Sequence, residues 1–407
     1  MGNNQPVADG VSRKRSGTVS PVDTVKLSFN TRTGHSVRLS SLLGEEPLSV
    51  GDQCIVSDDE ISKSVFLFSG ITSLNGDYCL KMHKLENDET FWRSKSITPP
   101  DTTLPTLYHS AILRGDTNNI LFFGDVAKTS LNPYSVLQYD VSLSQWSFLN
   151  FENHQKLRPF KVGSTPIYRG RTNSIIIFND GNYGKRGDND GIDVNSITQL
   201  NLSTHTHENI TFKPSEELKS LIGVWYHSSV YHSRGDATYI FGGLNLNKFE
   251  PLNCMWCLDF KDFTCKKINP TGSSPTARYN HSSCIVGDYI FTFGGCHMER
   301  TGGGTLNRTM LNDLYQFDLI SHTWRKILIT GCSPSPRANF AMQMFRYESR
   351  GTVCLVVHGG TDQSNKQLCD SYVLMLPRMN RFAHTVKWNV GQMMMKNALF
   401  DCVIITK

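Results

Sequence analysis

Three histidines stand at the start of apolar runs, where a titratable side chain could serve acid–base catalysis near neutral pH. His227 and His281 lie 14 to 16 residues before the second glycine of a Gly-Gly pair, and His109 has the same place in a stretch where Asp125 replaces that glycine. Equivalent positions in separate repeats lie apart in a folded chain. We therefore expect these histidines to be structural, each bonded to a neighbouring backbone group, and we predict no catalytic residue.

Two cysteines, Cys254 and Cys257, form a lone Cys-x-x-Cys pair. A structural zinc site would need a second pair or histidines at matching spacing, and none follows. On a strand, residues three apart also point to opposite faces. The sequence predicts no metal site here and no cofactor.

Two loops resemble ligand-binding loops only superficially. The run Thr301-Gly302-Gly303-Gly304-Thr305 lacks the Gly-Lys-Ser/Thr ending and the following helix of a phosphate-binding loop. The acidic stretch at 184–193 lacks the glutamate at position twelve and the flanking helices of a calcium loop. No Gly-x-Ser-x-Gly elbow supports a serine hydrolase. We predict that the protein is not an enzyme.

The elements that would position such residues form a repeat. The stretch RYNHSSCIVGDYIFTFGG at 278–295 reads as a strand, a tight turn and a strand ending in two glycines, followed after a long polar loop by LYQFDL and Trp324. The same order recurs with glycine centres near 70, 124, 181, 243, 295 and 360. A period of this size indicates the four-stranded blades of an all-β propeller.

The repeat resembles the kelch repeat, strongly at 275–328 and weakly around 54 and 167. Its signature is a strand-ending glycine doublet, a tyrosine in the third strand and a tryptophan in the fourth. The resemblance implies a kelch-type β-propeller in which the tyrosine and tryptophan pack between blades, and we expect no BTB domain before the repeats. The residues that carry it are Gly242, Gly243, Gly294, Gly295, Gly359, Gly360, Tyr139, Trp146, Tyr315 and Trp324.

The two ends of the chain suggest how the ring closes. Residues 25–39 match a third and fourth strand, whereas 397–407 look like a first and second strand. Each half alone would leave an unpaired edge, so we favour seven blades with one shared by the two termini; six blades is the alternative. We assign 1–23 to a disordered tail and 24–407 to the propeller.

Composition limits the possible partners. The net charge of +5 over 407 residues includes Arg13-Lys14-Arg15, so the remainder is nearly balanced and nucleic acid is disfavoured. The sequence shows no signal peptide and no apolar run long enough for a membrane helix, which predicts a protein without membrane association. We expect the cysteines within apolar runs to be buried, reduced thiols. We expect a monomeric propeller in the cytoplasm, with the nucleus as the alternative.

Long loops between the second and third strands indicate the function. In a propeller these loops and the blade-to-blade connections open on one face, and loops on a rigid scaffold usually carry binding. Their basic residues suit an acidic peptide or a C-terminal carboxylate, although they could equally serve solubility. We predict a protein-binding adaptor or scaffold; a ubiquitin-ligase substrate receptor, and less favourably an enzyme of the galactose-oxidase type, are the alternatives. The predicted partner-binding residues are Lys185, Arg186, Lys248, Arg278, Arg300, Arg308 and Arg337.

Overall fold

The computed structural model describes most of the repeat region and the strand that precedes it. The described residues are 33–38, 43–44, 53–58, 64–72, 78–87, 92–97, 106–114, 117–126, 136–151, 166–177, 196–221, 224–245, 248–302, 304–347 and 352–376. The expected tail at 1–23, the closing segment at 397–407 and the loop at 184–193 lie outside them.

The described chain is almost entirely β-structure. It contains one short α-helix, α1 (Glu216–Leu221), and a 3-10 turn at Gly170–Thr172. Ser215 caps the helix by accepting a hydrogen bond from the backbone N–H of Leu218 at 3.1 Å. The strands are β1 (Thr33–Arg38), β2 (Leu43–Gly44), β3 (Gln53–Asp58), β4 (Ser64–Thr72), β5 (Tyr78–Asn87), β6 (Trp92–Ile97), β7 (Thr106–Arg114), β8 (Asn119–Val126), β9 (Val136–Asp140), β10 (Gln145–Leu149), β11 (Ile167–Arg169), β12 (Ser174–Ile177), β13 (Ser196–Asn201), β14 (Thr206–Thr211), β15 (Val224–Trp225), β16 (Ser228–His232), β17 (Ala237–Phe241), β18 (Leu244–Asn245), β19 (Glu250–Pro251), β20 (Met255–Asp259), β21 (Thr264–Ile268), β22 (Thr271–Gly272), β23 (Ser282–Val286), β24 (Tyr289–Phe293), β25 (Cys296–Arg300), β26 (Leu306–Met310), β27 (Leu314–Asp318), β28 (Thr323–Gly331), β29 (Ala341–Tyr347), β30 (Thr352–His358) and β31 (Ser371–Met375).

Among these residues the strands form six antiparallel units of four strands, which we call blades 1 to 6. Blades 1 to 3 are β3-β4-β5-β6, β7-β8-β9-β10 and β11-β12-β13-β14. Blades 4 to 6 are β16-β17-β20-β21, β23-β24-β27-β28 and β29-β30-β31-β1. This is the all-β kelch-type propeller that the repeat predicted.

The turn between the third and fourth strands explains why an Asp or Asn recurs six residues before the aromatic position. In blade 5 the Asp318 carboxylate accepts backbone N–H bonds from Ile320 at 2.8 Å and Ser321 at 3.2 Å. His322 then takes a left-handed conformation with φ of 52°. Asp140, Asn201 and Asp259 accept the same kind of bond in blades 2 to 4, so the side chain fixes the turn that aligns the two strands.

The core lies between blades rather than within one. One apolar cluster fills each junction between consecutive blades, beginning with blades 1 and 2 and ending with blades 5 and 6. A further cluster joins blade 6 to blade 1, with Val65 and Leu67 packed against Val356 and Val373. The first strands of the six blades also contact one another in cyclic order. Each blade is therefore covered on both faces, which accounts for its near-continuous apolar strands.

The signature aromatic residues occupy these junctions. Tyr315 and Trp324 belong to the cluster between blades 4 and 5, with their rings edge to face at 6.3 Å. Tyr139 and the half-buried Trp146 meet at 4.8 Å between blades 1 and 2. Large rings at these positions supply much of the apolar area that holds neighbouring blades together.

The described strands do not confirm the preference for seven blades, and they give the N-terminal strand a partner that the sequence did not predict. We favoured seven blades, but the described strands form six, the alternative that the sequence also allowed. β1 is a fourth strand, as predicted, and the third strand beside it is β31. We predicted the third strand within 25–39, of which 25–32 lie outside the described residues. The other edge of β1 runs parallel to the end of β28 in blade 5. A strand from near the N-terminus thus completes the last described blade.

Within the described ranges, no helix has the length and apolar character needed to cross a bilayer.

Candidate partner-binding face

The loops that join the second and third strands of blades 4, 5 and 6 lie side by side. We call this surface the loop face and define it by residues 242–254, 294–313 and 359–370. In blade 5 the loop is itself a hairpin, β25 paired with β26, and in blade 4 it contains the short strands β18 and β19. The described part of this face is therefore ordered by backbone hydrogen bonds rather than held by its side chains alone.

The three loops are tied to one another. The Arg308 guanidinium donates to the Asn365 amide oxygen at 3.2 Å, and the Gln363 amide in turn donates to the Arg308 carbonyl at 2.7 Å. The Arg300 guanidinium reaches the Lys248 carbonyl at 3.5 Å. Below these contacts an apolar cluster that includes Tyr279 and Met298 packs the hairpin against the blades. The hairpin of blade 5 is thus bonded to the blade 6 loop, and it makes a single long contact with the blade 4 loop.

The structure divides the predicted binding residues into three groups. Lys248, Arg300 and Arg308 are exposed on the described loops. Lys185 and Arg186 lie outside the described residues. Arg278 and Arg337 are buried.

Arg278 corrects the sequence prediction, because its side chain has no exposed surface. Its guanidinium donates to the Gly294 carbonyl at 2.9 Å and to both carboxylate oxygens of Asp313, at 2.8 and 3.3 Å. Its Nε donates to the Thr276 carbonyl at 3.0 Å, and the group lies 5.4 Å from the Tyr315 ring. A side chain that is fully enclosed in this way holds its blade together and does not contact a partner.

Arg337 repeats this arrangement in blade 6 and is corrected for the same reason. It is fully buried and donates to the Gly359 carbonyl at 2.9 Å and to the Asp370 carboxylate at 2.8 and 3.2 Å. The guanidinium lies 5.2 Å from the Tyr372 ring. The signal that sequence reasoning missed is the pairing of Pro-x-x-Arg with an Asp two residues before the third-strand tyrosine.

The backbone of each of these arginines joins consecutive blades. The Gly295 N–H donates to the Arg337 carbonyl at 2.9 Å, and the Arg337 N–H donates to the Leu311 carbonyl at 3.0 Å. Gly243, Arg278 and Leu252 make the same bonds between blades 4 and 5. The glycine doublet, the arginine and the end of the loop therefore form one repeated joint beneath the loop face.

Phe249 is a surface residue that sequence reasoning missed. It lies next to Lys248 in the blade 4 loop, is 52% exposed and has a left-handed backbone with φ of 52°. Leu306, 41% exposed at the end of the blade 5 hairpin, is a second apolar side chain on the loop face. An apolar residue within a polar loop was the available signal. Glu250 and Glu299 are also exposed here, so the positive charge is local to the three cations.

The histidines are buried between blades. His281 Nε2 lies 2.8 Å from the Ser228 hydroxyl of the preceding blade, a side-chain partner that the sequence did not predict. His227 Nδ1 lies 3.2 Å from the Val224 carbonyl, as predicted. Burial lowers the pKa of His227 to about 4, and burial together with the nearby Arg278 charge holds the pKa of His281 well below its usual value. The His109 side chain lies outside the described residues.

The remaining chemical candidates are not brought together. Cys257 is partly buried, and burial raises the pKa of its thiol to about 11, which disfavours the thiolate that metals and redox partners require. In the described part of the chain, no three His, Cys, Asp or Glu side chains converge on a point where they could hold a metal ion.

Buried neutral histidines predict that acid destabilises the fold. Burial lowers the pKa of His227 and of His358 from 6.5 to about 4. Between these values the unfolded chain binds protons that the folded chain does not, so stability is retained above pH ~6.5 and lost as the pH falls toward ~4. We expect the free energy of unfolding to fall by about 1 kcal/mol per histidine between pH 7.5 and 5.5.

Urea unfolding at the two pH values measures this effect. The variant His358→Gln, which can still bond the Ser371 hydroxyl that lies 2.8 Å from His358 Nδ1, should show a smaller difference between the two pH values. Equal midpoints at both pH values for the unmodified chain would contradict the prediction.

Comparisons with known proteins agree with the architecture. Residues 173–389 match the family model described as the KLHDC2/KLHL20/DRC7 Kelch-repeats domain. Human Kelch domain-containing protein 3 is 36% identical over 109 residues, which cover 27% of this chain and 26% of that protein. Rho GTPase-activating protein gacHH of Dictyostelium discoideum is 28% identical over 158 residues, which cover 39% of this chain and 10% of that protein. The aligned regions thus span at most about a quarter of these two relatives.

A solved structure, that of YjhT, superimposes with a TM-score of 0.54 and 16% identity over 80% of this chain and 95% of its own. At this identity the likeness concerns the fold alone. Because the family model covers more than half of the 407 residues and the repeats build the matching blades, this chain belongs to the KLHDC2/KLHL20/DRC7 family of Kelch-repeat proteins.

Proposed function

We propose that the chain is a non-enzymatic adaptor or scaffold that binds an acidic segment of a protein partner on the loop face. The Kelch-repeat relatives suggest a protein-interaction function, and proteins of this family are generally binders rather than enzymes. The observation that carries the finer proposal is the exposure of three cations, Lys248, Arg300 and Arg308, on loops that brace one another.

Bracing matters because rigid loops lose little conformational entropy when a partner binds. The Arg308 side chain is exposed and bonds Asn365 through Nη2. Other N–H groups of the guanidinium can therefore donate hydrogen bonds to a carboxylate of the partner. Arginine forms two parallel bonds to a carboxylate, which gives geometric selectivity as well as attraction.

Phe249 supports an extended partner segment rather than a lone anion. Its exposed ring stands beside Lys248, whose carbonyl is the acceptor for Arg300. Aromatic side chains are favoured anchors at protein interfaces because they bury a large area at low entropic cost. We therefore expect the bound segment to combine carboxylates with an apolar residue.

The absence of catalysis is a component of the proposal. The described histidines best placed for acid–base chemistry, His227, His281 and His358, are buried between blades and have lowered pKa values. A substrate could reach them only by separating neighbouring blades. Such positions favour a structural role.

Charge reversal on the loop face tests the proposal. We expect the triple variant Lys248→Glu, Arg300→Glu and Arg308→Glu to lose about 10-fold or more of its affinity for the captured partners, because like charges replace attractive ones. Affinity capture from cell extract with quantitative mass spectrometry identifies the partners, and titration of each purified partner gives the affinity.

The matched control is Lys266→Glu, Lys267→Glu and Arg325→Glu, which makes the same change in net charge on exposed outer-strand positions of blades 4 and 5. Equal loss of affinity in both variants would overturn the proposed site, since it would mean that net charge alone governs binding. Recovery of ubiquitin-ligase subunits among the loop-face partners would favour the substrate-receptor alternative.

A further inference from the structure

The connection between blades 5 and 6 holds an exposed serine whose hydroxyl faces a buried arginine. Ser335 is exposed, precedes the exposed Pro336, and lies in irregular chain between β28 and β29. Its hydroxyl accepts a hydrogen bond from Arg337 Nη2 at 3.0 Å, and its carbonyl accepts one from Arg337 Nε at 3.1 Å. An accessible Ser-Pro step with a guanidinium beside its oxygen is suited to phosphorylation.

The equivalent connection between blades 4 and 5 lacks these features. There the residue two before the arginine is Thr276, followed by Ala277, so no serine-proline or threonine-proline step occurs at that position. Arg278 bonds the Thr276 carbonyl at 3.0 Å, and its guanidinium also bonds the Gly294 carbonyl and the Asp313 carboxylate. The Arg337 guanidinium thus contacts a serine hydroxyl, whereas the contacts of Arg278 described above are to carbonyl and carboxylate oxygens.

We propose that Ser335 is a regulatory phosphorylation site for a proline-directed kinase, and that Arg337 receives the phosphate at the expense of Asp370. In the transfer, the Ser335 oxygen forms the new bond to the γ-phosphorus of ATP and the bond to the bridging oxygen breaks. ADP leaves with the electron pair, and the hydroxyl proton passes to the catalytic aspartate of the kinase.

Phosphorylation of Ser335 would affect Asp370 because one nitrogen of Arg337 bonds both residues. Arg337 Nη2 donates to Ser335 at 3.0 Å and to the Asp370 carboxylate at 3.2 Å, so a phosphate on Ser335 enters next to that carboxylate. Asp370 already balances the arginine charge. A dianion placed there attracts the guanidinium and repels the carboxylate, which weakens the Arg337–Asp370 pair.

Asp370 ends the blade 6 loop of the loop face. Its carbonyl accepts the N–H of Gly359 at 3.0 Å, and the same loop carries Gln363 and Asn365, which contact Arg308 of the hairpin. Loosening Asp370 therefore reaches the braced edge of the loop face. The effect on partner binding rests on the proposed function, whereas the modification and its local effect do not.

The test uses the 407-residue protein, ATP and a purified proline-directed kinase, with peptide mapping by mass spectrometry. We expect the folded protein to accept phosphate at Ser335 and Ser335→Ala to accept none there. Ser333→Ala, which removes the adjacent Ser-Pro step and keeps the contact to Arg337, should still be modified. Failure of the folded protein to accept phosphate at Ser335, while a synthetic peptide of 328–342 accepts it, would overturn the site.

Amide hydrogen exchange tests the local consequence. Phosphorylation should raise the exchange rate of amides in 359–370 by about 10-fold, and leave β21 (Thr264–Ile268) of blade 4, which pairs with β20, unchanged as the internal control. Unphosphorylated Ser335→Ala should exchange like the unmodified chain. A phosphorylated protein with unchanged exchange in 359–370 would overturn the competition for Arg337. If exchange rises but loop-face variants bind partners normally, the proposed function fails and this inference stands.

Discussion

Replacing Arg278 with methionine is expected to lower the free energy of unfolding by about 3–5 kcal/mol, because it leaves the partner of a buried ion pair uncompensated. Asp313 is largely enclosed, with 18% of its side chain exposed, and its two carboxylate oxygens bond the guanidinium. The Gly294 carbonyl would lose the same partner. Urea unfolding of purified protein measures the change.

Arg300→Met is the matched control. Arg300 carries the same charge but is exposed, and its guanidinium makes only a long, 3.5 Å approach to the Lys248 carbonyl. We expect it to change the free energy of unfolding by less than about 0.5 kcal/mol, as surface substitutions usually do. Similar losses in the two variants would contradict the structural role of Arg278. Loss of partner binding in Arg278 variants would likewise report on folding rather than on contact.

Blade 4 shows how the ion pair can be replaced. Val224 and Cys254 stand where Arg278 and Asp313 stand in blade 5, since the Gly242 N–H bonds the Cys254 carbonyl as the Gly294 N–H bonds that of Asp313. Val224 is buried, and Cys254 is half-buried and free. The double variant Arg278→Val with Asp313→Cys should therefore be more stable than Arg278→Met, because it removes the unpaired carboxylate along with its partner.

The sequence predicted the repeat well because its determinants are local. The Gly-Gly doublets, the Asp six residues before Trp324 and the apolar strand runs each act within one hairpin or one turn. Their spacing therefore predicts the blades and the order of strands within them. The period predicts the propeller class, whereas the kelch identification rests on the resemblance of the glycine doublets, the third-strand tyrosine and the fourth-strand tryptophan to that family's repeat.

The burial of individual side chains could not be predicted from the repeat in the same way. Arg278 and Arg337 lie in connections, where arginine is usually exposed, and only the packing of the preceding blade against the joint encloses them. Likewise Arg169 and Asp236 form a buried pair at 2.6 Å between blades 3 and 4, although 67 residues separate them. Contacts of this range depend on how blades meet, which spacing within a repeat does not encode.

The preference for seven blades is not confirmed, for a related reason. Counting strand-like segments at the two ends treats 25–39 as a third and fourth strand, but pairing decides which strands share a sheet. β31 supplies the third strand beside β1, with Leu374 opposite Ser36. The strand pattern at 25–39 thus indicated a fourth strand without identifying the strand that it pairs with.

Substituting alanine at Gly295 is the second change with a large expected effect. Gly295 has φ of 94°, and a Cβ there would lie 2.8 Å from the Tyr279 carbonyl oxygen and 2.6 Å from the Cβ of His281. Tyr279 and His281 lie in the segment that leads into β23 of blade 5. The Tyr279 carbonyl accepts the Cys296 N–H, and His281 contacts Ser228 of blade 4, so neither can move without disturbing one of these bonds. We expect a loss of about 3–5 kcal/mol, from left-handed strain together with overpacking.

Two other glycines of the blade 5 hairpin distinguish the cost of left-handed backbone strain from the cost of overpacking. Gly304 has φ of 79°, and a Cβ added there would meet nothing within 4 Å, so Gly304→Ala should show the strain alone, about 1–2 kcal/mol at most. Gly302 has open space and no left-handed backbone, so Gly302→Ala should leave stability within about 0.5 kcal/mol. Thermal or urea unfolding of the three variants ranks them. If Gly295→Ala costs no more than Gly304→Ala, the close approach of Tyr279 and His281 is not what requires glycine at this position, and its backbone conformation alone accounts for the residue.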